Sequence, residues 1–404
     1  MKKVTDLHVK GAKVLVRVDF NVPLKDGIIT DDNRMVAALP TIHELLKKDA
    51  KIILMSHLGK IDFKKEPEDI AKAKKKANME FLFPHLQELL PGIKVSFSAA
   101  TRGEELKTAI DQLKNGEVLL VQNTRYEKGE SKNATDLALE WASLVDAFVM
   151  DAFGSAHRAH ASTFGVPEAL KAAGKPVAIG FLVEKEVENL TRCVDVQPSD
   201  RPYIAILGGL KVSDKIKVIE SLLKKCDKIL IGGAMAFTFK KALGFEIGTS
   251  PVEEDRLEFA KRIYEEANGR IVLPIDSVET DAFENYTIKR VVKDNITPGF
   301  EGMDIGPATA KLFTQELAGA KMVFWNGPMG VFEQDAFAAG TDAVCKAIAE
   351  LPHCFSVIGG GDSASAAAKL GYKEKFAHVS TGGGASLEMI ENDGHLPGID
   401  IIRD

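Results

Sequence analysis

In the second half of the chain, short apolar runs end in glycine again and again. Tyr203-Ile-Ala-Ile-Leu207 leads into Gly208-Gly209, Lys228-Ile-Leu-Ile231 into Gly232-Gly233, residues 322–325 into Asn326-Gly327-Pro328, residues 355–358 into Gly359-Gly360-Gly361, and residues 378–381 into Gly382-Gly383-Gly384. Runs that are apolar throughout, rather than at alternate positions, belong to strands covered on both faces. Such strands form parallel sheets, and parallel neighbours need a crossover between them, usually a helix, which confines the chain to an α/β architecture. A single glycine at a strand end is an ordinary turn. Their recurrence is different, because the carboxyl ends of the strands in an open α/β sheet line one ligand crevice.

The first half repeats the alternation with charge in place of the glycines. Apolar runs at 13–18, 51–55, 117–121, 147–150 and 176–179 alternate with helical stretches at 35–48, 104–113 and 136–144. A chain of 404 residues exceeds the usual size of one core, so two domains are expected. Residues 180–192 carry apolar side chains at 183, 187 and 190 with charges between them, the pattern of an amphipathic helix joining the two. The apolar tail, residues 395–402, is expected to pack back onto a domain, and the lysine-rich stretch 60–76 to form an exposed loop and helix face. Cys193, Cys226, Cys345 and Cys354 form no CxxC pair and read as buried thiols. A formal charge of -6 argues against bulk affinity for nucleic acid or an anionic membrane, so any positive site is local. No apolar run approaches the ~20 residues that span a bilayer, and the start MKKVTDLHVK lacks the apolar core of a signal peptide; a cytoplasmic protein is expected.

The chemistry gathers at the strand ends. Glycines 359–361 let the backbone approach a ligand closely, and the Ala-rich helix predicted after them offers unpaired N–H groups and a positive dipole end to a phosphate. Asp362 beside that site either holds Mg2+ against a nucleotide phosphate or caps the helix. In the first half, Arg17, Asp19 and Asn21 take alternate positions and project on one side as their strand runs out. Arg34 follows Thr30-Asp31-Asp32-Asn33, a cluster suited to cap the next helix. His57 and Lys60, then Arg125, then His157, Arg158 and His160, each follow a predicted strand. Taken singly, an arginine or histidine at a loop start satisfies carbonyls. Together, at the strand ends of one sheet, these cations make a pocket for a small, multiply charged anion.

The motifs that carry these residues resemble those of the phosphoglycerate kinase family. Val16-Arg-Val-Asp-Phe-Asn-Val-Pro23, Ser56-His-Leu-Gly59, Asp151-Ala-Phe-Gly-Ser-Ala-His-Arg-Ala-His-Ala-Ser162, Leu207-Gly-Gly-Leu-Lys-Val-Ser-Asp-Lys-Ile216, Trp325-Asn-Gly-Pro-Met-Gly-Val-Phe-Glu333, Ile358-Gly-Gly-Gly-Asp-Ser363 and Ser380-Thr-Gly-Gly-Gly-Ala-Ser386 occur in that order. The resemblance implies two Rossmann-like three-layer α/β domains with parallel sheets, joined by a helix and separated by a deep cleft. Residues 1–179 with 390–404 would bind 3-phosphoglycerate, 180–197 form the connecting helix, and 198–389 bind Mg-ATP or Mg-ADP. It further implies that Asp19, Asn21, Arg34, His57, Lys60, Arg125 and Arg158 contact phosphoglycerate, with Arg34 at the reacting carboxyl end. Lys211, Lys215, Gly361 and Ser363 would meet nucleotide phosphates, Glu333 the ribose, Gly232, Gly233 and Leu312 the adenine, and Asp362 the Mg2+, with Asn326 and Gly360 also binding the nucleotide. Arg34, Lys215, Gly361 and Gly384 are the implied catalytic set, in a monomer whose partners are small molecules rather than nucleic acid or membrane. The chain departs from the family pattern at Lys60-Ile61, which replaces Arg-Pro and loses a bidentate fork, at Gln122 in place of glutamate, and at Ala308 in place of lysine. Residues 61–91 match poorly, and no role is carried over to them.

The implied reaction suits these residue types. The acceptor carboxylate is ionised at neutral pH and needs no general base, which leaves alignment of two anions and stabilisation of the moving phosphoryl charge. Closure of the cleft, hinged near 180–200 and at the tail's return, is expected to exclude water. Other readings fit less well. Gly361-Asp-Ser-Ala-Ser365 approaches the G-x-S-x-G elbow of serine hydrolases, but Ser365 stands where glycine is required. No turn reads G-x-G-x-x-G or G-x-x-x-x-G-K-[ST]. A non-catalytic nucleotide binder on the same fold would be signalled by loss of Lys211, Lys215 or Asp362, and all are present.

Overall fold

A computed structural model describes residues 1–403. The chain forms two compact units, Met1–Glu188 with the tail from His395, and Asn189–Gly394. In the first unit, six parallel strands lie in the order Val95–Ser98, Val118–Val121, Lys51–Met55, Lys13–Val18, Ala147–Asp151 and Val177–Ile179. The earliest strand lies inside the sheet, and later strands extend it on either side. The connections therefore diverge between Lys13–Val18 and Ala147–Asp151, which pair up to Val18 and Asp151. That point is where an open α/β sheet takes its ligand.

The second unit repeats the plan in the doubly wound order Ile271–Val272, Lys228–Ile231, Tyr203–Leu207, Met322–Asn326, Phe355–Ile358 and His378–Val379, again all parallel. Its connections diverge between Tyr203–Leu207 and Met322–Asn326, paired up to Leu207 and Asn326. Both sheets are apolar through their middle strands, as expected of strands covered on two faces. The parallel-sheet expectation omits a three-stranded antiparallel sheet of Lys289–Lys293, Asp276–Thr280 and Glu301–Ile305. Its edge strand Lys289–Lys293 is charged and mostly exposed, so no apolar run announces it. The edge strands Val95–Ser98 and Ile271–Val272 were likewise not expected, being half-buried or only two residues long.

The helix Phe181–Val194 buries Val183, Val187, Leu190 and Cys193, the stripe expected at helical spacing. The tail buries Leu396, Ile399 and Ile402, and the Gly398 amide donates to Ala156 O at 2.8 Å, so it packs with the first unit. Helix Pro67–Lys76 buries nothing. Cys193, Cys226 and Cys345 are buried free thiols, and Cys354 is partly buried. Among the described residues, no helix is long and apolar enough to cross a membrane.

In each unit, burial strongly raises one carboxyl group that has no cationic partner in contact. Burial pushes Asp151 in the first unit and Asp304 in the second up to about 7. The folded chain therefore keeps these protons until about pH 7, whereas the unfolded chain releases them near its ordinary value of 3.8. Their contribution to stability is full below that ordinary value and is lost as pH rises through about 7. Asp151 Oδ1 accepts from the Leu182 amide at 3.1 Å while Oδ2 has no partner, so asparagine can keep the one bond and remove the charge. Asp151→Asn should be more stable than the parent by about 1–2 kcal/mol at pH 5 and by about 4 kcal/mol at pH 8, each unit of the shift being worth about 1.4 kcal/mol. Thermal denaturation followed by the fluorescence of Trp141, which is buried in the first unit, measures it; equal melting of the two at pH 8 would contradict a buried charge there.

Candidate active site

In the first unit, the charged strand ends converge at the point where the connections diverge. Both oxygens of Asp19 accept from Arg34 Nη1, at 3.0 and 2.9 Å, and so aim the guanidinium at the start of helix Asn33–Lys47. The expected cap cluster works differently from its sequence reading. Asp32 occupies the cap position but makes no capping bond, because its carboxylate is engaged by His85 Nε2 at 2.8 Å, and Asp31 accepts the Asn33 amide instead. Asn21 Oδ1 accepts from the Gly59 amide at 2.8 Å and Arg125 Nη1 donates to Gly59 O at 2.7 Å, so the turn after Lys51–Met55 is held from two sides. Lys60 is exposed next to it.

His57 is 7% exposed, and Arg17 Nη2 lies 3.0 Å from its Nδ1. Burial, then the cations Arg17, Arg125 and Arg34, then His160, push His57 well below its ordinary value. Burial also lowers Arg125 and His160, the latter helped by the charge of Arg158, which is exposed on the loop after Ala147–Asp151. The fold thus gathers Asp19, Asn21, Arg34, His57 and Arg125, with Arg158 near enough to act on His160. Nearby positive charge with few acids is an anion site.

In the second unit, three glycine turns lock backbone to backbone. The Gly208 amide donates to Asn326 O at 2.9 Å, Gly209 to Pro328 O at 3.2 Å, Gly233 to Met329 O at 3.1 Å, and Met235 to Gly209 O at 3.0 Å. Lys215, 9% exposed, donates its Nζ to Gly208 O at this junction. Burial brings it down to about 8, against the opposing pull of Asp214 and Asp362. Lys211 is exposed four residues earlier. Helices Gly361–Lys369 and Gly383–Glu391 begin side by side, since a Cβ on Gly383 would lie 3.0 Å from Gly360 Cα. Two helix N-termini, with Gly384 in the first turn of the second, therefore share one face, and this is where backbone donors and dipoles favour anions. A cavity of about 500 Å³ adjoins it, lined in part by Gly233, Phe237, Gly302, Met303, Glu333 and Asp362.

The structure places the remaining candidates of this unit. Leu312 is not among the cavity-lining residues; it sits on helix Pro307–Leu317 and packs against the apolar core. Gly232 stays behind the wall, packed against Met329, while Gly233 lines the cavity. Ser363 is fully buried and its Oγ accepts from the Gly327 amide at 2.6 Å, which joins two turns and leaves it inaccessible as a hydrolase nucleophile. Asn326 likewise donates its Nδ2 to Gly359 O. The cap of helix Gly361–Lys369 is Gly360, at φ 153°, so Asp362 is left exposed in the first turn rather than capping it. Gly302 and Met303 were missed, because Glu301-Gly-Met-Asp-Ile305 mixes charged and apolar residues and no apolar run marks it.

The sequence profile of the phosphoglycerate kinase family matches residues 4–393. The chain is 54% identical over 408 residues to phosphoglycerate kinase of Listeria monocytogenes serotype 4b, covering 100% of this chain and 99% of that protein. It is 55% identical over 408 residues to that of Fusobacterium nucleatum, with the same coverage of 100% and 99%. Among solved structures, phosphoglycerate kinase from Coxiella burnetii superposes with a TM-score of 0.85 at 36% identity, covering 98% of this chain and 97% of that one. The Pyrococcus horikoshii enzyme does so with a TM-score of 0.82 at 32% identity, covering 100% and 98%. With two anion sites on two parallel-sheet units and likeness along the whole chain, this protein belongs to the phosphoglycerate kinase family and carries out the glycolytic transfer of a phosphoryl group between 1,3-bisphosphoglycerate and ADP, reversibly from ATP and 3-phosphoglycerate.

Proposed function

We propose that the first unit holds 3-phosphoglycerate with His57, Arg125 and Arg158 around its phosphate and Arg34, aimed by Asp19, at its carboxyl end. Asn21 holds the turn that carries Gly59, and Lys60 adds long-range attraction rather than a fork. The second unit takes the nucleotide, its base in the cavity beside Gly233, Gly302 and Met303, its ribose at Glu333, and its phosphates against the paired helix ends at Gly360, Gly361 and Gly384 with Lys211 and Lys215. The observation that carries the reading is the division of labour: clustered arginines at the divergence point of one sheet, and paired helix N-termini beside a cavity at that of the other. The reading takes the enzyme as a monomer, and the glycolytic substrates support a cytoplasmic location.

Among the described residues, no group of three or more His, Cys, Asp or Glu is arranged to hold a metal ion. Asp362 alone, with phosphate oxygens and water, would hold Mg2+, which suits an ion that keeps much of its hydration. When bound, Mg2+ supplies charge neutralisation on the phosphates. The chain's own residues do the rest. Arg34 orients the carboxylate, which attacks without a base; Lys215 and the Gly361 and Gly384 amides stabilise the charge that develops on the phosphoryl oxygens. In-line transfer requires the two anions to meet, so the reading includes closure of the units on binding both substrates.

A coupled assay with ATP, Mg2+ and 3-phosphoglycerate, run with and without EDTA, tests the reading. In it, Arg158→Ala should raise KM for phosphoglycerate roughly 10-fold or more while changing kcat less, the loss of one charge-assisted bond. An unchanged KM would remove Arg158 from the pocket.

A further inference from the structure

His57 rests on a buried chain of polar groups that the substrate contacts above do not use. Arg17, in the middle of the sheet, is 1% exposed. Its Nη1 donates to Val18 O at 2.5 Å and its Nε to Ser162 Oγ at 2.8 Å, leaving Nη2 for His57 Nδ1 at 3.0 Å. Ser162 in turn donates its hydroxyl to Glu130 Oε2 at 2.7 Å and its amide to Glu130 Oε1 at 2.8 Å. Glu130 is also 1% exposed. A buried cation and a buried carboxylate are thus joined through one hydroxyl, which satisfies both where either alone would be costly.

The chain of donors runs in one direction. A guanidinium has only donors, so the contact at Nδ1 requires a lone pair there, and the imidazole proton must then sit on Nε2. Protonating Nδ1 would set N–H against N–H. It would also add charge to surroundings that already hold Arg17, Arg34, Arg125 and His160, with Asp19 and Glu130 the acids nearest to these arginines.

We propose that Glu130, Ser162 and Arg17 are positioning residues that lock His57 in its Nε2–H tautomer, so that it presents one uncharged donor to the phosphate of 3-phosphoglycerate. The proposal rests on the reading that His57 meets that phosphate. A phosphate monoester has its second ionisation near pH ~6, and an ordinary histidine titrates near ~6.5. A free histidine would therefore change charge over the same range as its ligand, whereas the locked one donates throughout.

The test is 15N NMR of the histidine rings in the intact enzyme, with the His57 signal assigned by its absence from His57→Gln. The wild-type ring should show a protonated Nε2 and a bare Nδ1, unchanged from about pH 5.5 to 8, a range that brackets the ordinary histidine value. In Arg17→Met, which keeps length without donors, His57 should exchange between tautomers, with KM for phosphoglycerate raised about 10-fold and kcat less affected. A protonated Nδ1 in the wild type, or an imidazolium within that range, overturns the lock without any variant. If Arg17→Met fails to fold, Ser162→Ala keeps both charged residues, and an unchanged His57 spectrum and KM there would equally overturn the role of the chain. Titration with 3-phosphoglycerate separates the two claims. If it leaves the His57 signals unmoved, the substrate contact is wrong and with it the presentation to phosphate; if they move while Nδ1 carries the proton, only the lock is wrong.

Discussion

Lys215→Ala should lower kcat roughly 10²–10³-fold or more, a loss of about 3 kcal/mol or greater in transition-state stabilisation, with a much smaller rise in KM for either substrate. The expectation follows from where the ammonium sits. Lys215 is 9% exposed and donates to Gly208 O, at the junction of the glycine turns and near Asp362. In so buried a place, a charge acts on a neighbouring phosphoryl group with little screening by water. Arginine should not rescue the loss, because a planar fork cannot take the place of a compact ammonium between tightly packed turns. The same burial, which brings Lys215 down to about 8, gives a pH dependence. In the nucleotide-free enzyme the lysine loses its proton as pH rises through about 8, so kcat/KM for the nucleotide should fall above that pH and not below it. Steady-state kinetics from pH 7 to 9 in the presence of Mg2+ measure both. Near-normal turnover in the alanine variant would take Lys215 out of the mechanism.

Why His57 and Arg125 were legible in the sequence, and Met303 was not, has a physical basis. Each follows an unbroken apolar run, and such runs identify parallel strands whose ends are where ligands bind. Lys215 was assigned differently, by the resemblance of residues 207–216 to the family motif. Met303 and Gly302 reach the cavity on Glu301–Ile305, a strand of the small antiparallel sheet, which is buried at only part of its length. That sheet has no central apolar run to mark it, while Leu312, implied by the resemblance, lies on a helix packed against the core. Long-range hydrogen bonds were equally hidden. Arg17 and Ser162 are 145 positions apart, and no local pattern tells that their side chains meet. Nor does any local pattern tell that the Ser363 hydroxyl meets the Gly327 amide, 36 positions away.

Not every glycine in these turns has the same task, and two substitutions should separate them. Gly233 adopts φ 66°, where an alanine is strained, and a Cβ there would lie 2.5 Å from Gly209 N, 2.8 Å from Gly209 O and 2.9 Å from Pro328 O. All three are backbone atoms of turns already bonded to each other, so none can step aside cheaply. Strain of about 1–3 kcal/mol and overpacking of similar size put the cost of Gly233→Ala at about 3–5 kcal/mol. For a unit of this size that is a fall in melting temperature of roughly 10 °C. The sequence has two tryptophans, Trp141 in the first unit and Trp325 buried in the second, so Trp325 fluorescence in a Trp141→Phe background follows the affected unit alone. Gly361 is the opposite case. A Cβ there meets nothing within 4 Å, its φ is not in the left-handed range, and alanine favours a helix start by up to about 1 kcal/mol. Gly361→Ala should melt as the parent does or slightly higher, yet raise KM for the nucleotide, because the added methyl stands where a phosphate must approach the helix end. If instead Gly361→Ala melts early and Gly233→Ala does not, the glycines at 359–361 serve the fold and those at 232–233 the ligand, and the phosphate site has been assigned to the wrong turn.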